Sequence, residues 1–318
     1  MIRRPPRSTQ GVSSAASDVY KRQEDGRKMS KSLKNYPDPE ELLNTYGGDS
    51  LRAYLINSPV VRGEPLKFSE EGVKLVTRNV ILPLWNSYSF FSNYANADSI
   101  TIEELNSASP VHERPLMDQW IISSLQSLIK TVNEKMENYY LYEVIPPLMN
   151  FIDELTNWYV RSNRKRFWKE KGKDDLDKIN AFKTLHEVLI EFSKTMAPVL
   201  PFICEEIYQN LVAGIIKKAP ESVHLCDYPK EDKAQINLEL MEKVDALRKV
   251  VELGRSARNK SNLRIRQPLS NLKFSIEEDS IAEFILSEKN VVMDELNIKA
   301  IDRAKSESEL IRYKIKPN

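Results

Sequence analysis

Glycine is scarce: nine residues in 318, under half the usual share of about 7%. Glycine-rich phosphate loops and tight hairpins need positive φ, so this shortage argues against a complete nucleotide-binding α/β domain and favours helices. Cysteine is scarcer still. Cys204 and Cys226 cannot build a disulfide framework or a four-ligand zinc site, and read as two reduced thiols, one buried and one incidental. The histidines, His112, His186 and His224, are scattered, with no cysteine or carboxylate at metal-ligand spacing, so no metal site is expected. No Gly-x-Ser-x-Gly elbow accompanies the serines, which removes serine-hydrolase chemistry. No apolar run approaches the length that crosses a bilayer. Nor is there a charge excess: 47 Lys+Arg against 46 Asp+Glu leaves +1, so only the distribution of charge can point to a partner.

Apolar residues at helical spacing are abundant. Leu84, Tyr88 and Phe91 share a face. Ile121, Leu125, Leu128, Val132 and Met136 recur three and four apart, as do Val144, Leu148, Phe151, Leu155 and Trp158. Phe182 to Met196 and Leu240 to Val251 repeat the pattern. Each stripe must be buried against others, and short polar or proline-bearing breaks join them, which predicts an antiparallel helix bundle over 70–228. Upstream, Asp38-Pro39-Glu40-Glu41 reads as an N-cap, a proline at the first helical position and acids for the helix dipole. That helix should end near Gly47-Gly48, with a second carrying Leu51, Tyr54 and Leu55. The tail, 229–318, begins with a helix and then alternates strand-like and amphipathic stretches: Leu272–Ile276, Ile281–Glu295, Ile298–Ala304 and Leu310–Lys316. The fold class is therefore mainly α, with a small α/β unit at the end. Residues 1–23 have no apolar periodicity and resemble translated sequencing-adaptor sequence. They are expected to be non-native and disordered, with Glu24 as the first authentic residue of a longer protein's fragment.

Two stretches carry chemistry. In Asp25-Gly26-Arg27-Lys28-Met29-Ser30-Lys31-Ser32-Leu33-Lys34-Asn35, two lysines three apart sit with hydroxyls beside a flexible glycine. Lysine on its four-carbon stem can swing toward a polyphosphate and meet charge that develops in the transition state. The second stretch, Trp158–Lys169, mixes four aromatics with cations. Cations neutralise phosphates and planar groups stack unpaired bases, the combination that RNA recognition uses. Trp158 falls on the apolar stripe and both Trp158 and Tyr159 read as core, whereas Arg161, Arg164, Lys165, Arg166 and Trp168 are the candidates for RNA contact. A later cationic run, Arg255-Ser256-Ala257-Arg258-Asn259-Lys260 with Arg264 and Arg266, could clamp an RNA backbone or simply lie on the surface, and the surface reading is preferred. Glu205 and Glu206 are adjacent on a helix and point different ways, so shared acid–base work is not expected. His186 reads as a helix-surface or boundary residue.

The string Lys28-Met29-Ser30-Lys31-Ser32 resembles the KMSKS signature of class I aminoacyl-tRNA synthetases. The likeness continues through Lys34-Asn35-Tyr36-Pro37-Asp38-Pro39, Tyr46–Arg52 and Leu55–Arg62. It extends further through Asn157–Arg161, Met196-Ala197-Pro198, Glu205–Leu211 and Arg266-Gln267-Pro268-Leu269. These stretches resemble the isoleucyl branch, of the eukaryotic cytosolic type, from Glu24 almost continuously to Asn318. The resemblance implies that 24–69 ends a class I catalytic domain and that 70–228 is an anticodon-binding domain. It implies catalytic roles for Lys28 and Lys31 on the pyrophosphate side of ATP, with Met29, Ser30 and Ser32 in the same ATP-binding loop. Mg2+ would accompany ATP as substrate, tRNA(Ile) and isoleucine would be the partners, and the setting would be cytoplasmic, with neither DNA nor membrane involved. The His-Ile-Gly-His motif and an editing domain would lie upstream, so this chain alone would be inactive. The alternatives are a non-catalytic RNA-binding helical module, or a valyl or methionyl relative.

Overall fold

The computed structural model describes residues 38–172 and 175–304, together with the backbone of 21–23. The basic loop Lys28–Ser32 and the final alternating stretch Leu310–Lys316 lie outside the described residues.

Helix α1 (Pro39–Ile56) starts as its sequence dictates: the Asp38 carboxylate accepts from the Glu40 amide at 2.9 Å, with Pro39 at the first helical position. Its path breaks at Gly47, whose φ of 79° and ψ of 160° interrupt the helical run. This backbone region is essentially open to glycine alone, so the expected two helices are present as two arms of one kinked element. Beyond it, β2 (Leu66–Phe68) lies parallel to β1 (Lys21–Gln23). Residues 21–23 fall in the stretch expected to be disordered. A parallel ladder is a main-chain contact, so their lack of apolar periodicity does not prevent the pairing.

The bundle follows. Helix α2 (Glu70–Val76) runs through Thr77–Ile81 into α3 (Leu82–Ala97), and α4 (Ile102–Asn106) is a short capped turn. The long helices are α5 (Leu116–Glu137), then α6 (Ile145–Asp153) continuing through Glu154–Val160 into α7 (Arg161–Trp168), then α8 (Leu176–Met196). Helix α9 (Pro201–Tyr208) extends through Gln209–Ala213, and α10 (Leu238–Lys260) closes the bundle. Helix α5 packs on α8, α6 and α10, and α8 packs on α9, α7 and α3. The predicted stripes form this interior: Ile121, Phe151, Phe182 and Phe192 are buried, with Phe151 and Phe192 stacked at 5.7 Å between centroids. Three stretches, Thr77–Ile81, Glu154–Val160 and Gln209–Ala213, are π-helical. Each shifts the helical phase by one residue, and Trp158 and Tyr159 are both buried within the second of them.

The tail folds as β3 (Leu272–Phe274), α11 (Asp279–Ser287), α12 (Lys289–Leu296) and β4 (Ile301–Arg303), with β3 parallel to β4. The expected amphipathic stretch Ile281–Glu295 is thus two helices, divided at Glu288. Phe274, Phe284, Ile285, Val292 and Ile301 belong to the same hydrophobic cluster as the bundle. Gly254 of α10 makes that contact possible, since a Cβ there would sit 2.5 Å from Leu296 Cδ1.

Candidate nucleic-acid interface

Helix α7 carries the candidate cations, and the structure divides them by what each already touches. Arg166 faces inward. Its guanidinium forms a two-pronged pair with Asp118 at 2.7 and 2.8 Å, a third contact to Asp177 at 2.9 Å, and a bond to Asn163 Oδ1 at 2.9 Å. Asp118 is wholly buried and also accepts from the Tyr159 hydroxyl at 2.8 Å. Burial alone would lower the Arg166 pKa, but the hydrogen bonds and charge of Asp118 outweigh it and the net shift is upward. Burial, with the Asp118 charge behind it, raises the Tyr159 phenol well above its ordinary range. Arg166, grouped on the sequence with the RNA-facing cations, is therefore the counter-ion of the core. Pulling it out to a phosphate would leave Asp118 buried and unpaired.

Arg161 and Lys165 lean on the tail unit. Lys165 Nζ meets Asp294 at 2.6 Å, and Arg161 meets Glu295 at 3.0 Å; the buried Glu295 is shared with Arg255. Lys169 pairs with Asp175 at 2.9 Å. The buried Lys178 closes the end of α7, donating to the Phe167 carbonyl at 3.0 Å and pairing with Asp98 at 2.6 Å. Arg164 and Trp168 are different. Arg164 has no carboxylate partner among the described residues, and its guanidinium lies 5.8 Å from the exposed Trp168 ring. An exposed indole under an unpaired guanidinium offers both a stacking face and a phosphate-binding charge. Trp158, by contrast, is buried beneath Arg248 and Arg255.

A contact that the sequence did not disclose joins α1 to the bundle. The buried Asp49 accepts from the amides of Phe202 and Ile203 at 3.2 and 2.7 Å, capping α9. Burial raises its pKa, against the lowering effect of those amides. One turn later Arg52 donates to the carbonyls of Pro198 at 2.8 Å and Val199 at 3.3 Å. The segment after the basic loop is thereby fastened to the turn between α8 and α9. The only sequence signals were an Asp and an Arg three apart beyond Gly47-Gly48, and an uncapped Pro201 helix start.

Two other expectations are corrected. His186 is buried, not at a boundary: its Nε2 lies 3.3 Å from the Leu211 carbonyl, and burial lowers its pKa to about 4. The π-turn at Gln209–Ala213 brings that carbonyl over it. Arg258, in the run expected at the surface, is buried because four main-chain carbonyls surround its guanidinium. Glu205 and Glu206 do diverge: Glu205 holds Ser222 and the Val223 amide at 2.9 Å each, while Glu206 pairs with Asn210.

Comparison with known proteins bears on both ends of this arrangement. Residues 118–273 match the anticodon-binding domain of tRNA ligase, and residues 17–67 match tRNA synthetases class I (I, L, M and V). Over 93% of its length the chain is 41% identical to an isoleucine–tRNA ligase of Protochlamydia amoebophila and 43% identical to one of Bdellovibrio bacteriovorus. One from Chlamydia trachomatis is 41% identical over a similar span. The chain spans 28%, 27% and 28% of those three relatives. Among solved structures, a LeuRS from Agrobacterium radiobacter, in a ternary complex with tRNA and LeuAMS, is similar at a TM-score of 0.44. That likeness has 19% identity and covers 68% of this chain and 24% of that one.

Proposed function

We propose that the chain is a part of an isoleucine–tRNA ligase, the part that carries the end of the catalytic domain and the anticodon-binding bundle. The observation that carries this reading is the similarity to isoleucine–tRNA ligases over 93% of the chain, a span that takes in both segments. In this reading the whole enzyme activates isoleucine with ATP and Mg2+ to the aminoacyl-adenylate, then transfers it to tRNA(Ile). Lys28 and Lys31 meet the charge that develops on the pyrophosphate, in a loop completed by Met29, Ser30 and Ser32. The eukaryotic cytosolic type, and with it a cytoplasmic setting, rests on the resemblance of Lys34–Pro39, Tyr46–Arg52 and Leu55–Arg62; the three relatives compared are bacterial.

For the RNA partner, Arg164 and Trp168 are the contact we favour, because their charge and ring have no competing carboxylate among the described residues. Lys165, whose pair with Asp294 is exposed on both sides, can exchange that partner at a cost of about 0–1 kcal/mol. Arg161 would act at the edge of this surface.

The test uses the full-length enzyme. Lys28→Ala with Lys31→Ala should slow isoleucine-dependent ATP–pyrophosphate exchange by roughly 10²-fold or more, the scale of removing a charge that stabilises the transition state. Arg164→Ala with Trp168→Ala should raise the tRNA KM and leave the exchange alone. Exchange driven by valine or methionine instead would move the assignment to that relative. No exchange with any amino acid would leave the non-catalytic RNA-binding module.

A further inference from the structure

The run from Leu253 to Ile276 holds six cations, Arg255, Arg258, Lys260, Arg264, Arg266 and Lys273, and no carboxylate. Its middle joins the end of α10 to β3, and two buried or half-buried side chains fix its shape. The Arg258 guanidinium donates to the carbonyls of Arg264 at 3.1 Å, Gln267 at 2.9 Å, Leu296 at 2.6 Å and Asn297 at 3.1 Å. Asn297, left-handed at φ 48°, donates through its amide to the carbonyls of Ile265 at 3.0 Å and Arg266 at 3.1 Å. Four consecutive carbonyls, 264 to 267, are thus drawn into the fold. The side chains of Lys260, Arg264 and Arg266 are left exposed, and none of the three has an ion pair among the described residues. On α7, in contrast, most cations are already neutralised.

A buried guanidinium satisfied by carbonyls alone, without a carboxylate, leaves its own charge and the outer three all of one sign. Such a surface is held ready for a polyanion, with its backbone already ordered before binding. We propose that the loop Lys260–Gln267 is a contact for the phosphate backbone of RNA, separate from Arg164 and Trp168. The proposal rests on the reading of the chain as RNA-binding. RNA is favoured over a lipid surface because a membrane-binding face needs a broad apolar area beside its cations, and within Lys260–Gln267 the apolar side chains are the exposed Ile265 and the half-buried Leu263. The loop also lies inside the 118–273 match to the anticodon-binding domain.

The experiment measures binding of a tRNA(Ile) transcript to the full-length enzyme across a range of salt concentrations, alongside ATP–pyrophosphate exchange. Arg264→Gln with Arg266→Gln should lower the slope of log affinity against log salt by about 0.7 for each phosphate that is no longer neutralised. At 0.1 M salt this amounts to roughly fivefold in Kd per phosphate. Exchange should be unchanged. Lys289→Gln, an exposed lysine of the same unit outside the loop, should leave the slope as it was. The proposal is overturned by an unaltered slope and Kd in the double variant with exchange intact, or by an equal weakening in Lys289→Gln. It is equally overturned if the two arginines govern binding to phosphatidylserine vesicles while tRNA binding stays constant. Absence of exchange in the unsubstituted enzyme would strike instead at the reading of the chain as a ligase.

Discussion

Arg164 and Arg166 stand two positions apart on α7, so they share propensity and charge yet face opposite surroundings. Arg166 neutralises Asp118, which is fully buried. Removing one partner of a buried pair strands the other, at a cost of about 3–5 kcal/mol. Arg166→Ala should therefore lower the unfolding free energy by that amount in urea denaturation, whereas Arg164→Ala should change it by less than about 0.5 kcal/mol. Equal stability of the two variants would refute the division. His186 supplies a pH dependence of its own. Its folded pKa of about 4 lies below the ordinary 6.5, so the unfolded chain holds the proton more tightly. Stability from this group is complete above pH 6.5 and is lost as the pH falls toward 4. Between pH 7 and pH 5 the loss is about 2 kcal/mol, the 1.5 units from 6.5 to 5 at 1.36 kcal/mol each. Its charged neighbours Lys183 and Glu187 act in opposite directions on it. His186→Gln can still donate to the Leu211 carbonyl without titrating, and should flatten the pH profile of stability by that amount.

Helices with stripes at three- and four-residue spacing were legible because burial acts on that period directly: Ile121, Leu125, Leu148, Phe182 and Val244 are all in the core. The kink in α1 was legible as well, since two successive glycines after a helical stretch carry a specific backbone meaning. The π-turns were not, because one extra residue shifts the phase of a stripe without removing any member of it. The direction of the α7 cations was also hidden. Their partners lie far along the chain, Asp118 at a separation of 48 residues and Asp294 at 129, and no local pattern encodes that. For the same reason the inward turn of Arg258 could not be read from a run of like charges. The basic loop itself was the clearest motif, yet it lies outside the described residues. Gly47 provides the test at this scale. Gly47→Ala places a side chain in a backbone region reserved for glycine and should cost about 1–3 kcal/mol. It should also loosen the Asp49 cap on α9, visible as faster amide exchange at Phe202 and Ile203. Unchanged exchange at those two amides would mean that the cap does not depend on the kink.

Across the whole molecule, one hydrophobic cluster runs from Ala53 to Ile301, so the tail unit is continuous with the bundle rather than appended to it. Polar contacts set the fit. Asp49 and Arg52 fasten α1 to the turn before α9, and Asp294 and Glu295 of α12 take up Lys165 and Arg161 of α7. This second set places docking and RNA binding in competition for the same two cations. If docking is their work, Arg161→Ala with Lys165→Ala should weaken the seat of the tail by about 1–2 kcal/mol, because Arg255 still holds Glu295. Amide exchange through Asp279–Leu296 would then run roughly 5- to 30-fold faster, with exchange in α5 and α8 unaltered. The salt slope of tRNA binding would stay as it was, since neither cation would have been releasing counter-ions from a phosphate. The opposite pattern, a flattened slope with a quiet tail, would return both residues to the RNA face. In that event α12 supplies carboxylates that RNA displaces on binding, and the tail unit should exchange faster once tRNA is bound.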